Sequence, residues 1–504
     1  MAEAEIIEGG MFGRKEILTS VDKITKENVA SVLSKALMVH NTNSVAIDYL
    51  YRYMRGEQPI LSRKKDVRPE ICNRVVENHA SEIVQFTSGY FLGEPVTYVR
   101  RGDSNASSEE INELNDFMFY EDKASHDKDM ATWLAICGVA YRMVLPDKDS
   151  VSSPDQSPFE LDTPDPRHTF VVYHSGFGHK RIMGVREIMR TLGKESTETL
   201  YCGYTKDHYF EVANGVVRKW EAHTLGDIPI FEYRLNMARM GSFEPALSLL
   251  DAINTVASNR LDGVELFVQS FVKFVNCDIT ADDFKELKDL GAIKIKSVDG
   301  QTADVEILSQ ELNQEQTQTL VDYLYQQVLT ICGMPTTTKG GSSTSDTGAA
   351  VFLRDGWSQC EARARDTELL FKKSEKEFLR LVLTIIRTSK EFNLSLAEIE
   401  CKFTRRQHDN LLVKSQALLQ LLEAGFEPSL AIATVGLVND PMDVAKQSEL
   451  YLEKWKPKPT APTDNSGDKP LEISVSEKTP KTNANGRETE NHKNTERTDQ
   501  TQEE

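Results

Sequence analysis

Residues 347–390 run for 44 positions without a proline, and this stretch constrains the fold more than any other. It reads as one very long helix or two in line, about 66 Å if straight, roughly twice the span of an ordinary small domain. Gly356 is the expected place for a kink. With 504 residues and 39% hydrophobic content, there is enough apolar surface for more than one core.

The segments before this rod alternate in period. Residues 26–55 read as two short helices broken near Asn41 and Ser44. Over 69–92, Ile71, Val75, Ile83 and Phe86 fall near helical spacing, and PVTYV then alternates like a strand. From 158 to 235 the chain is strand-like, with Asn214-Gly215 as a hairpin signal in an antiparallel sheet. Two amphipathic helices follow. In the first, Leu250, Ile253, Ala257, Leu261, Val264 and Val268 form one stripe, with Asn254, Asn259, Arg260 and Asp262 on the other faces. In the second, over 313–332, the stripe is Leu320, Leu324, Val328 and Ile331, stopped by Gly333 and Pro335. Between them lies a small insert of strand, short helix and two strands. Residues 405–455 read as three helices, the last with Asp440 as N-cap and Pro441 at its first position. The fold class is α+β.

The formal charge is −19. Residues 457–504 hold seven Lys and Arg against ten Asp and Glu, a net of −3, so the rest of the chain carries −16. That tail has no aromatic residue and reads as disordered. So acidic a body lacks the cations that grip nucleic acid by counterion release, and DNA beside it is expected to slide. No apolar run reaches the roughly 20 residues of a membrane span. No secretory leader is recognisable, and seven dispersed cysteines without a C-x-x-C pair suit a reducing compartment.

Chemical motifs are scarce. TKGGSSTSDTGAAV, from Thr338 to Val351, is rich in glycine and hydroxyls, yet Lys339 precedes the glycines and Ala349 stands where a phosphate-binding loop needs lysine. Ser345, Asp346 or Thr347 there caps the following helix. His174 and His179 do not share a strand face. Asp162 and Asp165 in DTPDP suit a turn better than a metal site, and the Arg101-Gly102-Asp103 triplet suits a turn better than an adhesion signal. No nucleophile–base arrangement occurs, so neither an enzymatic activity nor a cofactor or metal is expected. In DDFKELKD, Asp282, Asp283, Glu286 and Asp289 alternate with Lys285 and Lys288, which fits a solvated helix and a docking surface equally.

In order, the chain presents YFLGEPVT (90–97), GDIPIFEYRLNMARMGSFEPALSLLDAIN (226–254), helix, α/β insert, helix, glycine-rich loop, long helix and helical C-terminus. Over residues 25–456 this order resembles the portal proteins of tailed bacteriophages with long non-contractile tails. The resemblance implies a dodecameric ring at one capsid vertex, assembled in the host cytoplasm, through which double-stranded DNA passes without sequence preference. It implies a flexible N-terminus (1–24), a wing (25–246) and a stem of two helices (247–270 and 313–333) around a clip (271–312). A tunnel loop (334–348), a long helix with wing return (349–404), a crown (405–456) and the tail (457–504) would follow. Thr336, Thr337, Thr338, Lys339, Gly340, Gly341, Ser342, Ser343, Thr344, Ser345 and Asp346 would face the channel. The charged clip residues 282–289 would dock the terminase large subunit and the head-to-tail adaptor. Scaffolding and major capsid proteins are the other implied partners, with no membrane. The contrasting reading is a virion scaffold that binds proteins but conducts no DNA.

Overall fold

The computed structural model describes residues 13–101, 108–147, 156–192, 196–268, 271–275, 304–308, 314–335, 356–405 and 411–436, and residues 444, 445 and 448 besides. Helices and largely antiparallel sheets alternate along it, the α+β class expected.

A short strand, β1 (Ile17–Thr19), leads into α1 (Val29–Met54), a single unbroken helix. Its buried positions recur at three- and four-residue steps and include two polar residues, His40 and Asn43. The break expected near Asn41 and Ser44 is absent because tertiary partners engage the polar side chains that suggested it. Asn43 accepts from the Lys15 amide at 2.9 Å and donates to the Lys15 carbonyl at 2.8 Å, and Ser44 Oγ donates to the Arg167 carbonyl at 2.9 Å. His40 lies against Phe170, ring centroids 4.3 Å apart, and burial lowers its imidazole to about 4. The Lys15 bonds also draw residues 13–19 into the fold. Expected as part of a loose N-terminus, this segment is an edge strand paired in parallel with β5 (Thr169–His174).

Beyond β5 the sheet continues through β6 (Arg181–Leu192), β7 (Ser196–Tyr204), β8 (His208–Ala213) and β9 (Val216–Ala222), every further pair antiparallel. Asn214 and Gly215 turn β8 into β9 with φ of 51° and 75°, both left-handed as a two-residue hairpin turn requires. Gly203 in β7 has a packing reason, since a Cβ there would lie 2.2 Å from the Phe210 ring.

A second sheet, β10-β3-β4, joins β3 (Val139–Pro146), β4 (Phe159–Asp162) and β10 (Ile230–Arg234). Helices α2 (His79–Phe91), α3 (Ser108–Tyr120) and α4 (Lys123–Cys137) pack around it. Residues 70–78, whose apolar spacing predicted helix, are irregular, and α2 starts only at His79, after Asn78 accepts from the Ser81 amide. The PVTYV strand is β2 (Thr97–Arg100), and it pairs with β13 (Ile399–Lys402) from the far end of the chain.

Helices α5 (Leu247–Val268) and α6 (Gln314–Cys332) flank a two-stranded ribbon of β11 (Phe271–Val275) and β12 (Asp304–Leu308). The long helix, α7 (Trp357–Ser389), has 33 residues. Gly356, the expected kink, has φ of 78° and stands just before the first turn of α7, and residues 347–355 on its other side lie outside the described residues. Helices α8 (Leu411–Glu423) and α9 (Pro428–Val435) follow, separated at Gly425 with φ of 87°. The third helix expected from Asp440 onward falls almost wholly outside the described residues.

The inner face of α7 carries a core built from distant parts of the chain, including Phe117, Phe159, Phe231, Phe371, Phe378 and Ile386. At its centre is a wholly buried ionic cluster. Glu375 of α7 accepts from the hydroxyls of Tyr98 and Tyr233 at 2.5 Å each and from Arg142 at 3.0 Å, and Lys123 lies 3.2 Å away. Arg142 also pairs with Asp127, and Lys123 meets Asp127 at 2.6 Å. Two cations and two anions balance. The Tyr233 and Phe378 rings cover the Arg142 guanidinium at 5.3 and 5.0 Å. Burial alone would raise the Glu375 carboxyl, but Lys123, Arg142 and the two hydroxyls outweigh it and hold the group at about 2.

Candidate functional site

The α5–α6 hairpin has a composition unlike that of the rest of the molecule. Near its base, Leu247, Leu250 and Ile253 of α5 meet Val328 and Leu329 of α6 in a second core. Further along α5, the residues one turn apart that face inward are polar: Asn254, Ser258 and Asp262, all buried. Their partner is the irregular segment 58–78, which lies along the helix. Asn254 accepts from the Glu77 amide at 2.8 Å, Ser258 from the Val75 amide at 3.0 Å, and Asp262 from the Asn73 amide at 2.7 Å. Asp262 also meets Lys65 at 2.8 Å and Arg63 at 3.1 Å. Burial pushes its carboxyl up, but these donors prevail and hold it below the ordinary range.

Asp262→Ala is expected to cost about 1–3 kcal/mol and to release the strap. Trypsin reads this out, because Arg63, Lys64, Lys65 and Arg74 all lie within it and none precedes a proline. Faster cleavage at 63–74 is the expected result; an unchanged digestion pattern would mean that other contacts hold the strap.

With the strap on one face, the distal part of the apolar stripe is left uncovered. Leu261 and Val264 are 42% and 40% exposed, and Leu320 and Tyr323 of α6 are 46% and 59% exposed. The charge is one-sided. α5 has Asp251, Asp262 and Glu265 against Arg260, a net of −2, and α6 has Glu315 and Asp322 without any Lys or Arg, also −2. Arg260 is turned to Gln318, which its guanidinium meets at 2.6 Å. α6 thus offers apolar and acidic surface, whereas on α5 the buried Asp262 is neutralised by Lys65 and Arg63 of the strap.

The end of α6 is tied to α7. Arg363 donates to the Ile331 carbonyl at 2.8 Å and lies over Gly333, where a Cβ would come within 2.5 Å of its side chain. Gly333 has φ of 68°, so this close approach and the left-handed turn both require glycine. Beyond α7, Arg405 grips Glu361 at 3.0 Å and Glu368 at 2.9 Å, which fixes the start of the C-terminal helices to the same rod.

Of the expected site residues, the loop 336–346, the charged helix 282–289 and the cap Asp440 lie outside the described residues, as do Gly102 and Asp103. The weaker motifs resolve into ordinary contacts. Asp162 pairs with Arg186 at 2.9 Å and Asp165 with Arg167 at 2.7 Å, and His174 accepts from the Gly176 amide. Among the described residues no group of three or more His, Cys, Asp or Glu is placed to hold a metal, and no helix is long and apolar enough to cross a membrane.

The described residues thus hold a strapped pair of helices with partly exposed apolar side chains, tied to an α+β body. The model of the family described as "Phage portal protein, SPP1 Gp6-like" matches residues 37–455, and the chain belongs to that family. Membership makes it a structural component of a phage virion, with an oligomeric ring and capsid and tail partners implied. No curated protein matches the chain. Among solved structures it is similar to a chain from "Neck of empty GTA particle computed with C6 symmetry", at 12% identity and a TM-score of 0.44, over 71% of this chain and 90% of that one.

Proposed function

We propose that copies of this chain form a closed ring, twelve in number, whose α5 and α6 helices surround an axial channel for double-stranded DNA. The supporting observation is the charge and polarity of the hairpin. α6 carries −2 with no Lys or Arg, and Arg260 of α5 is hydrogen-bonded to Gln318. A wall lined by α6 offers the phosphate backbone few counterion-releasing contacts, and at physiological salt its repulsion acts within about 8 Å. DNA passes it with little friction.

In this reading 25–246 is the wing, 247–270 and 313–333 are the stem, and 271–312 is a clip whose residues 282–289 dock the terminase large subunit and later the head-to-tail adaptor. Residues 336–346 form the tunnel loop, with Lys339 toward the phosphates, and 405–456 form the crown inside the capsid. Scaffolding and major capsid proteins surround the ring at one vertex. ATP hydrolysis belongs to the terminase.

Electron microscopy of the purified chain tests the ring, with a central hole expected; a monomer under all conditions, or a closed disc, would overturn the conduit. Deleting 340–345 is expected to leave rings intact while packaging or retention of DNA falls. Loss of the rings would instead make the loop an assembly element.

A further inference from the structure

Between α2, the link 235–245, the end of α6 and the first half of α7 lies a cavity of about 320 Å³. Pockets for small molecules span about 300–1,000 Å³ and are mostly apolar, so this one is at the compact end of that range. Its walls are the rings of Phe86, Tyr90 and Phe91, the side chain of Ala364, and the thiols of Cys332 and Cys360. Burial raises both thiols to about 12, so they present neutral, polarisable sulfur rather than thiolate.

Four of the polar side chains at the wall are already engaged within the chain. The Tyr90 hydroxyl donates to Glu361 at 2.9 Å, and Asn236 bonds both the carbonyl and the amide of Met240, at 2.8 and 3.0 Å. Ser242 Oγ donates to the Ala135 carbonyl at 2.8 Å, and Thr367 Oγ1 to that of Arg363 at 3.1 Å. Arg363 and Asp366 of α7 also line it, one charge of each sign, and Arg363 donates to the Ile331 carbonyl. The lining charges sum to zero, so an uncharged guest matches the wall. Three rings and two sulfurs favour a flat, polarisable one.

We propose that this cavity is a binding site for a compact, uncharged aromatic molecule. The site belongs to the single chain and does not depend on the ring or on DNA passage. A bound molecule spans from Cys332 of α6 to Cys360 and Ala364 of α7, and so fixes the end of one helix against the start of the other.

Indole is a suitable probe, used with the full-length chain. At about 5 mM it is expected to raise the melting temperature by about 2 °C. The rise should vanish in Ala364→Met and in Thr87→Leu, which fill the cavity from α7 and from α2; either variant suffices should the other fold poorly. Modification by N-ethylmaleimide, mapped by mass spectrometry, places the guest. Indole should slow alkylation of Cys332 and Cys360 at least threefold and leave Cys72, outside the cavity, unchanged. No melting shift in the parent chain, an equal shift in both filled variants, or equal protection of Cys72 would each overturn the proposal.

Discussion

Glu375→Ala is expected to destabilise the body by about 3–5 kcal/mol, because it leaves two buried cations, Lys123 and Arg142, with one anion, Asp127, between them. Since a typical domain is stable by only about 5–15 kcal/mol, much of the chain should then be unfolded or aggregated at 37 °C. Urea denaturation measures the loss. Glu375→Gln keeps the shape and removes the charge, so it should fall between Ala and the parent; a variant as stable as the parent would show that packing alone carries this core. The pH dependence has a fixed sign. The carboxyl lies at about 2 in the folded chain against an ordinary 4.5, so its contribution is complete above pH 4.5 and is lost as pH falls toward 2. Lys123, Arg142 and Asp127 face the group, along with the hydroxyls of Tyr98 and Tyr233. His40, ordinarily near 6.5 and lowered to about 4, adds a loss of the same sign between those two values. Melting curves from pH 7 to pH 3 should fall throughout, and Glu375→Gln should flatten the part below pH 4.5.

The second large effect concerns assembly. Leu320→Asp combined with Tyr323→Asp places two carboxylates on the uncovered face of α6. If that face is buried between neighbouring copies, each interface loses about 2–4 kcal/mol, repeated at every contact around the ring. Sedimentation velocity should then show single chains in place of rings. Because both side chains are exposed in the isolated chain, its melting temperature should stay close to that of the parent. Intact rings of the double variant would put the interface elsewhere.

Features encoded by near neighbours were legible in the sequence. The Asn214-Gly215 turn, the Leu250 and Ile253 side of α5 and the stop at Gly333 all follow from residues a few positions apart. What escaped reading depended on partners far along the chain. Asn41 to Ser44 resembled a helix break, yet Asn43 is held by Lys15. Asn254 and Asp262, placed off the apolar stripe, are buried under a strap nearly 200 residues earlier. Glu375 stands in the highly charged run KKSEKEF, where nothing in the local pattern marks it as buried. One signal was available: Arg142 interrupts the apolar run AICGVAYRMV, and an arginine there needs a buried anion. The α5 and α6 boundaries were readable, while their functional faces were not, because exposure depends on what the strap covers.

The pairing of β2 with β13 has a consequence for the order of events in the cell. Tyr98 lies opposite Cys401, and Glu375 completes a cluster begun by Lys123 and Arg142. Translation at about 5–20 residues per second separates the two halves of that sheet by roughly 15–60 seconds. Throughout that interval the earlier half is on the ribosome without its partner strand, and its two buried cations share a single anion, Asp127. A chain cut short before residue 375 lacks both the strand and the second carboxylate.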